Sequence, residues 1–294
     1  MSIECGRAGL RGRVAETCAV RAGVALVVVG IAACAPSLSS FQPAHVARQG
    51  HFQASGGMEF SVSTASVSNL IDSAKVLTEA AKTRVLTDDE KLSLFDAALN
   101  IAVSPPLSAG PHVSVAYTVV DRLELSLRRA GGATRAGTRY QLLSRDRHPL
   151  DLTAGVGVSR FTYKFPLVDA IPGGILEVTD FTRWQIDVPI VAGTSHDWFR
   201  VWGGPRFIYT SIGTEVVLNL IVEEHELAAL KGGGFFVGGQ GGFALGYKKC
   251  FLAFELTVAK LFGDATVSVV GKSAREVDLD SFVFQPSIGL VVEL

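Results

Sequence analysis

The tightest constraint on how this chain can fold is a two-residue repeat along residues 282–294, FVFQPSIGLVVEL. Phe284, Pro286, Ile288, Leu290, Val292 and Leu294 fall on one face of an extended strand, and Gln285, Ser287, Gly289, Val291 and Glu293 on the other. An apolar face of this kind must leave water, either against a protein core or against hydrocarbon. Composition helps to choose between the two. The chain is 48% apolar with only 19% charged residues, and its mean hydropathy is +0.33. Yet no apolar run after residue 33 approaches the ~20 residues of a spanning helix. An apolar surplus dispersed over alternate positions is what a lipid-facing barrel wall produces. A formal net charge of −1 argues against a nucleic-acid partner.

The same alternation recurs upstream. Leu123, Leu125 and Leu127 oppose Glu124, Ser126 and Arg128, and Leu150, Leu152, Ala154, Val156 and Val158 oppose Asp151, Thr153, Gly155, Gly157 and Ser159. Strands are expected over 53–64, 112–119, 123–129, 137–143, 150–159, 181–191, 198–210, 234–247, 251–260 and the last segment. Short turns near 121, 144–148, 194–197 and 247–250 alternate with connections of roughly twenty residues at 160–181, 211–233 and 263–281, the loop asymmetry of a transmembrane barrel. Trp184, Trp198, Tyr209, Phe235, Tyr247 and Phe251 stand near expected strand ends, where two membrane interfaces would hold them.

Between 66 and 105 the period becomes helical. Leu70, Ile71, Ala74, Leu77 and Ala81 share one face, and a second segment opens at Thr87-Asp88-Asp89-Glu90 with the pattern of a capping box. The expected fold is therefore all-β: a closed antiparallel transmembrane β-barrel of about ten strands over 53–294, with a small helical insertion after the first strand.

Ser287, Gly289, Val292 and Leu294 resemble the carboxy-terminal assembly signal of bacterial outer-membrane β-barrel proteins, without its usual terminal aromatic residue. That resemblance implies an outer-membrane location, a surrounding lipid partner and insertion by the barrel-assembly machinery. At the other end, Arg7, Arg11, Arg13 and Arg21 precede an apolar run over 22–33 that is too short to span, which reads as a signal peptide over 1–33. Ile31-Ala32-Ala33-Cys34 resembles the lipobox of bacterial lipoproteins, which implies acylation at Cys34; cleavage after Ala35 by the ordinary signal peptidase is the alternative. Residues 34–52 are polar, with scattered Pro and Ser, and read as a lipid-anchored tether. Removal of Cys5 and Cys18 would leave Cys250 without an intrachain disulfide partner.

Function is expected inside the barrel or on its loops. Glu124, Arg128, Arg139, Asp151, Asp187, Arg200, Arg206 and Glu255 are expected to point inward, where about ten strands leave a narrow bore and opposite charges pair. Chemistry-bearing motifs are weak. Gly271-Lys272-Ser273 lacks the upstream glycine of a phosphate loop, the glycine-rich 232–242 is not followed by a helix and acid, and His225 among Glu223, Glu224 and Glu226 has no second histidine at ligand spacing. The expectation is a non-enzymatic outer-membrane barrel lipoprotein with no metal or cofactor. Its role would be envelope structure or surface interaction, the long loops being available to a surface partner. A small selective pore, or a periplasmic lipocalin-like ligand carrier, is the alternative.

Overall fold

The structure, a computed structural model, describes residues 37–64, 107–161, 176–218, 226–269 and 274–294, with six isolated residues between 80 and 93. Its strands are β1 (Phe52–Ser63), β2 (Leu107–Val120), β3 (Leu123–Ala130), β4 (Ala133–Leu143), β5 (Asp151–Phe161), β6 (Leu176–Ser195), β7 (Phe199–Leu218), β8 (Glu226–Tyr247), β9 (Cys250–Val269), β10 (Arg275–Asp278) and β11 (Ser281–Glu293). Each of β1 to β9 pairs antiparallel with the next, β9 pairs with β11, and β11 returns to β1, with Gly57 opposite Gly289 at the seam. Ten strands thus close a barrel, and β10 adds only a short flange on the upper part of β9. Over the span the ten strands share, closure leaves no unpaired edge among the described residues.

Alternation decides what each face meets. Leu125, Leu127, Val156, Val158, Ile186, Val188, Phe207, Val237, Leu252, Leu256, Ile288 and Leu290 are exposed on the outer wall, while Glu124, Gln185, Asp187, Thr257 and Gln285 between them are buried. A protein dissolved in water would do the reverse; a wall surrounded by hydrocarbon requires this arrangement.

The arrangement then inverts along β7 to β9. Beyond the exposed rings of Tyr209, Phe235 and Phe262, the outward residues become Ser211, Glu215, Lys231, Asp264, Thr266 and Ser268, while Ile212, Ala265 and Val267 turn inward. The aromatic row therefore marks one edge of the apolar band, and the wall rises past it into water. Phe52, Tyr117, Tyr140, Trp198 and Tyr247, all exposed, mark the other edge.

This inversion explains where the sequence-based boundaries differ. Almost all the described residues of the segments 160–181, 211–233 and 263–281 are strand: β6, β7 and β9 run for 20 residues and β8 for 22, about twice what a bilayer crossing needs. Phe251 is a second correction, since it lies buried inside the barrel rather than at an interface. The helical insertion over 66–105 falls almost wholly outside the described residues. What is described there is the reciprocal pair at its second segment: Thr87 N–H donates to the Glu90 carboxylate at 2.9 Å, and Glu90 N–H to Thr87 Oγ1 at 3.4 Å.

Tight turns sit at the end that holds Leu294. Arg122 (φ 72°) and Lys248 (φ 57°) take the left-handed conformation that two-residue reversals need. At the same end, Phe52 and Leu294 exchange backbone hydrogen bonds of 3.1 and 2.8 Å.

Candidate functional site: the lumen and the segment that fills it

Of the stretch expected to be a tether, residues 38–44 lie inside the barrel. Leu38, Ser39, Ser40, Phe41, Gln42 and Ala44 are all buried. Ser37 borders a small cavity with Gly131, the turn of the β3–β4 hairpin, whereas Gly50 bonds to Thr118 near the opposite end. The segment 37–49 therefore runs down the bore before the chain reverses into β1. Composition gave no warning of this, because Ser, Gln and Pro suit both a solvated linker and a strand-free plug whose backbone bonds to side chains.

Glu255 of β9 is the principal anchor of that plug. Its Oε1 accepts from Ser39 Oγ at 2.6 Å, Ser40 N–H at 2.9 Å and Phe41 N–H at 3.0 Å, while its Oε2 accepts the Trp202 indole N–H at 3.0 Å. The Ser40 and Phe41 N–H groups converge on this one oxygen, and Phe41 itself adopts a left-handed conformation, φ 52°. The ring of Phe41 then packs among Ala44, Val191, Trp202, Ala244 and Phe251. Above it, Leu38 N–H donates to Gln285 Oε1 at 2.6 Å; below it, Val46 N–H donates to Gln141 Oε1 at 3.2 Å.

The arginines complete the packing. Arg139 grips Glu124 through two bonds of 2.7 and 2.8 Å, and its remaining N–H groups reach the carbonyls of Pro43 and His45 on the plug. Arg206 joins Asp187 at 3.3 Å and Gln240 at 2.9 Å. Arg200 donates to Glu293 at 2.6 Å and lies 3.7 Å above the Phe251 ring. Glu293 also meets His45 Nε2 at 2.5 Å, and His45 Nδ1 faces Ser195 Oγ at 2.9 Å. Arg128 pairs with Glu59, which also accepts from Gln285 at 2.9 Å. Among the described residues Asp151 pairs with no arginine side chain; it takes N–H groups from Gln141 at 2.9 Å and from the Arg145 backbone at 2.8 Å.

All eight residues singled out from the sequence are buried. Among them the structure joins only Glu124 with Arg139 and Asp187 with Arg206. The other partners were overlooked. Glu59 lies between Met58 and Phe60 on the inward side of an alternation already apparent, and Arg135 precedes the expected start of its strand, which begins at Ala133. Arg135 holds Asp187 through bonds of 2.7 and 2.9 Å. Its guanidinium lies flat against the wall because Gly157 has no side chain: a Cβ there would collide with Arg135 Nη2.

Of the residues resembling an assembly signal, Ser287 is buried inside and Leu294 is exposed. A Cβ at Gly289 would meet the Gly56 carbonyl oxygen at 2.5 Å across the seam. Cys34, His225 and the Gly271-Lys272-Ser273 motif lie outside the described residues. Among those described, no group of His, Cys, Asp and Glu is arranged to hold a metal.

Neither a protein-family model nor a curated protein matches the chain. Among solved structures it is similar to the outer membrane protein OprG from Pseudomonas aeruginosa, with 12% identity, coverage of 84% of this chain and 97% of that one, and a TM-score of 0.39. It is also similar to the outer membrane protease OmpT from Escherichia coli, with 10% identity, coverage of 87% and 100%, and a TM-score of 0.40. A major outer membrane protein from Thermus thermophilus gives 7% identity, coverage of 82% and 99%, and a TM-score of 0.35. The solved structures this chain resembles are thus bacterial outer-membrane β-barrel proteins, with no single family among them.

Proposed function

We propose that this chain is a non-enzymatic barrel of the bacterial outer membrane whose bore is closed by its own segment 37–49, and that it acts in envelope structure or in surface contact through its protruding strands and longer connections. The observation that carries the reading is the pairing of an apolar outer band with a lumen whose charged groups bond to one another and to the plug. The long connections, 64–106 and 162–175, leave from the end opposite Leu294, which supports that end as the external one. Ser287, Gly289, Val292 and Leu294 are proposed as the contact with the barrel-assembly machinery.

Acylation at Cys34 belongs to the same proposal. A second reading, a small selective pore opened by withdrawal of the plug, is favoured by one feature: the plug is held by hydrogen bonds and packing and is not itself a strand of the wall.

Membrane fractionation combined with heat-modifiable gel migration tests the main reading. The expected result is recovery with the outer membrane and faster migration of the unboiled protein. Recovery in the soluble fraction, with migration unchanged by boiling, would overturn it.

A further inference from the structure

The outer wall of β3 to β6 carries two positive charges that the lumen does not explain. Arg129, Thr134, Arg160 and Trp184 are register partners on four successive strands, and Arg129, Arg160 and Trp184 are exposed on the outside. The row lies near the hairpin end: Arg129 is two residues from the turn at Gly131, and Arg160 is next to the end of β5.

Among the described residues both arginines have neutral partners only. Arg129 Nη1 donates to Thr134 Oγ1 at 2.7 Å, and the Arg160 guanidinium lies 5.3 Å from the Trp184 ring centre. No carboxylate among the described residues forms an ion pair with either. Elsewhere at the aromatic edge the situation differs: Lys260, beside Phe262, is neutralised by Asp280 at 3.0 Å.

A guanidinium facing hydrocarbon is unfavourable, and it becomes tolerable at the level of the headgroups, where aromatic rings also collect. Beneath the row the wall is an apolar strip, with Leu127, Val158 and Ile186 exposed along it. Arg129 and Arg160 stand two strands apart, about 10 Å. Two planar donors at that separation, above a surface suited to acyl chains, match a headgroup carrying two phosphates.

We propose that Arg129 and Arg160, flanked by Thr134 and Trp184, form a docking site for a phosphorylated glycolipid of the external leaflet. The phosphates would accept from the two guanidiniums, and the acyl chains would lie along Leu127, Val158 and Ile186. This rests on the membrane reading above.

The test uses the full chain refolded into phosphatidylcholine vesicles containing a small fraction of bisphosphorylated lipid A, with retained lipid counted by native mass spectrometry after extraction. The account expects one glycolipid retained per barrel, at least tenfold less with R129Q/R160Q, and no retention of the fully dephosphorylated glycolipid. The double variant removes charge from a lipid-facing surface and should still insert, which heat-modifiable migration checks. Equal retention by the variant, equal retention of the dephosphorylated lipid, or displacement of the lipid by excess inorganic phosphate would each overturn the proposal. Failure of the unmodified chain to insert into any vesicle would instead remove the membrane reading beneath it.

Discussion

Glu255 concentrates the chemistry of the lumen in one side chain. A carboxylate taken from water must recover its lost hydration, and here three N–H groups and one hydroxyl supply it. Phe41 adds a local cost, since a phenylalanine in the left-handed region is disfavoured by about 1–2 kcal/mol, and the bonds from the Ser40 and Phe41 N–H groups to Glu255 offset this. Glu255→Ala strands those donors in a dry interior, and a loss of about 3 kcal/mol or more is expected from urea titration in lipid vesicles. Glu255→Gln keeps an accepting oxygen and should lose less. The inward placement of Glu255 was legible from alternation alone. Its partners were not, because a backbone N–H leaves no mark in the sequence and Phe41 looks like any other apolar residue in a polar stretch.

A second residue-scale expectation concerns pH. Glu90 is bonded by Arg84 at 2.6 and 2.8 Å and by the Thr87 N–H, and these, Arg84 foremost, lower its carboxyl from the ordinary value of 4.5 to about 2. A depressed folded value means the capping arrangement stabilises fully above about 4.5 and is lost as pH falls through 2. The protection of the Thr87 amide, its exchange rate compared with that of an unstructured peptide at the same pH, should therefore fall on acidification across that window in the native chain. In Glu90→Gln it should show no such step.

Elements, in contrast to single contacts, were mostly readable. Strands bearing outward Leu, Val and Ile against inward polar residues announce themselves, as β3, β5 and β11 do. The upper halves of β7, β8 and β9 were mistaken for loops because their outward positions, Ser211, Lys231 and Asp264, stand above the hydrocarbon and need not be apolar. The bilayer itself writes the pattern, and the pattern fades where the bilayer ends. Facing can be tested on β3. Leu125→Arg should destabilise the inserted barrel by about 2–4 kcal/mol if it lies near the midplane, while Leu125→Phe should be nearly neutral, since lipid yields to added bulk where a packed protein core would resist. Both would be read from urea midpoints in vesicles. A comparable loss from the two changes would point to a protein partner on that wall.

At the scale of the whole molecule, ten strands enclose a space that side chains alone nearly fill, and the plug takes what remains. The arginines connect the wall to the plug: Arg139 bridges Glu124 and the carbonyls of Pro43 and His45, and Arg200 reaches Glu293, which also holds His45. Removing the plug would leave Glu255, Arg139 and Gln285 facing an open, water-accessible bore. The most direct measurement is steady conductance in planar bilayers, comparing the full chain with one lacking residues 37–46. The account predicts almost no steady current from the full chain and a clear, persistent rise from the shortened one. A large, stable current from the full chain, unchanged by the deletion, would contradict it.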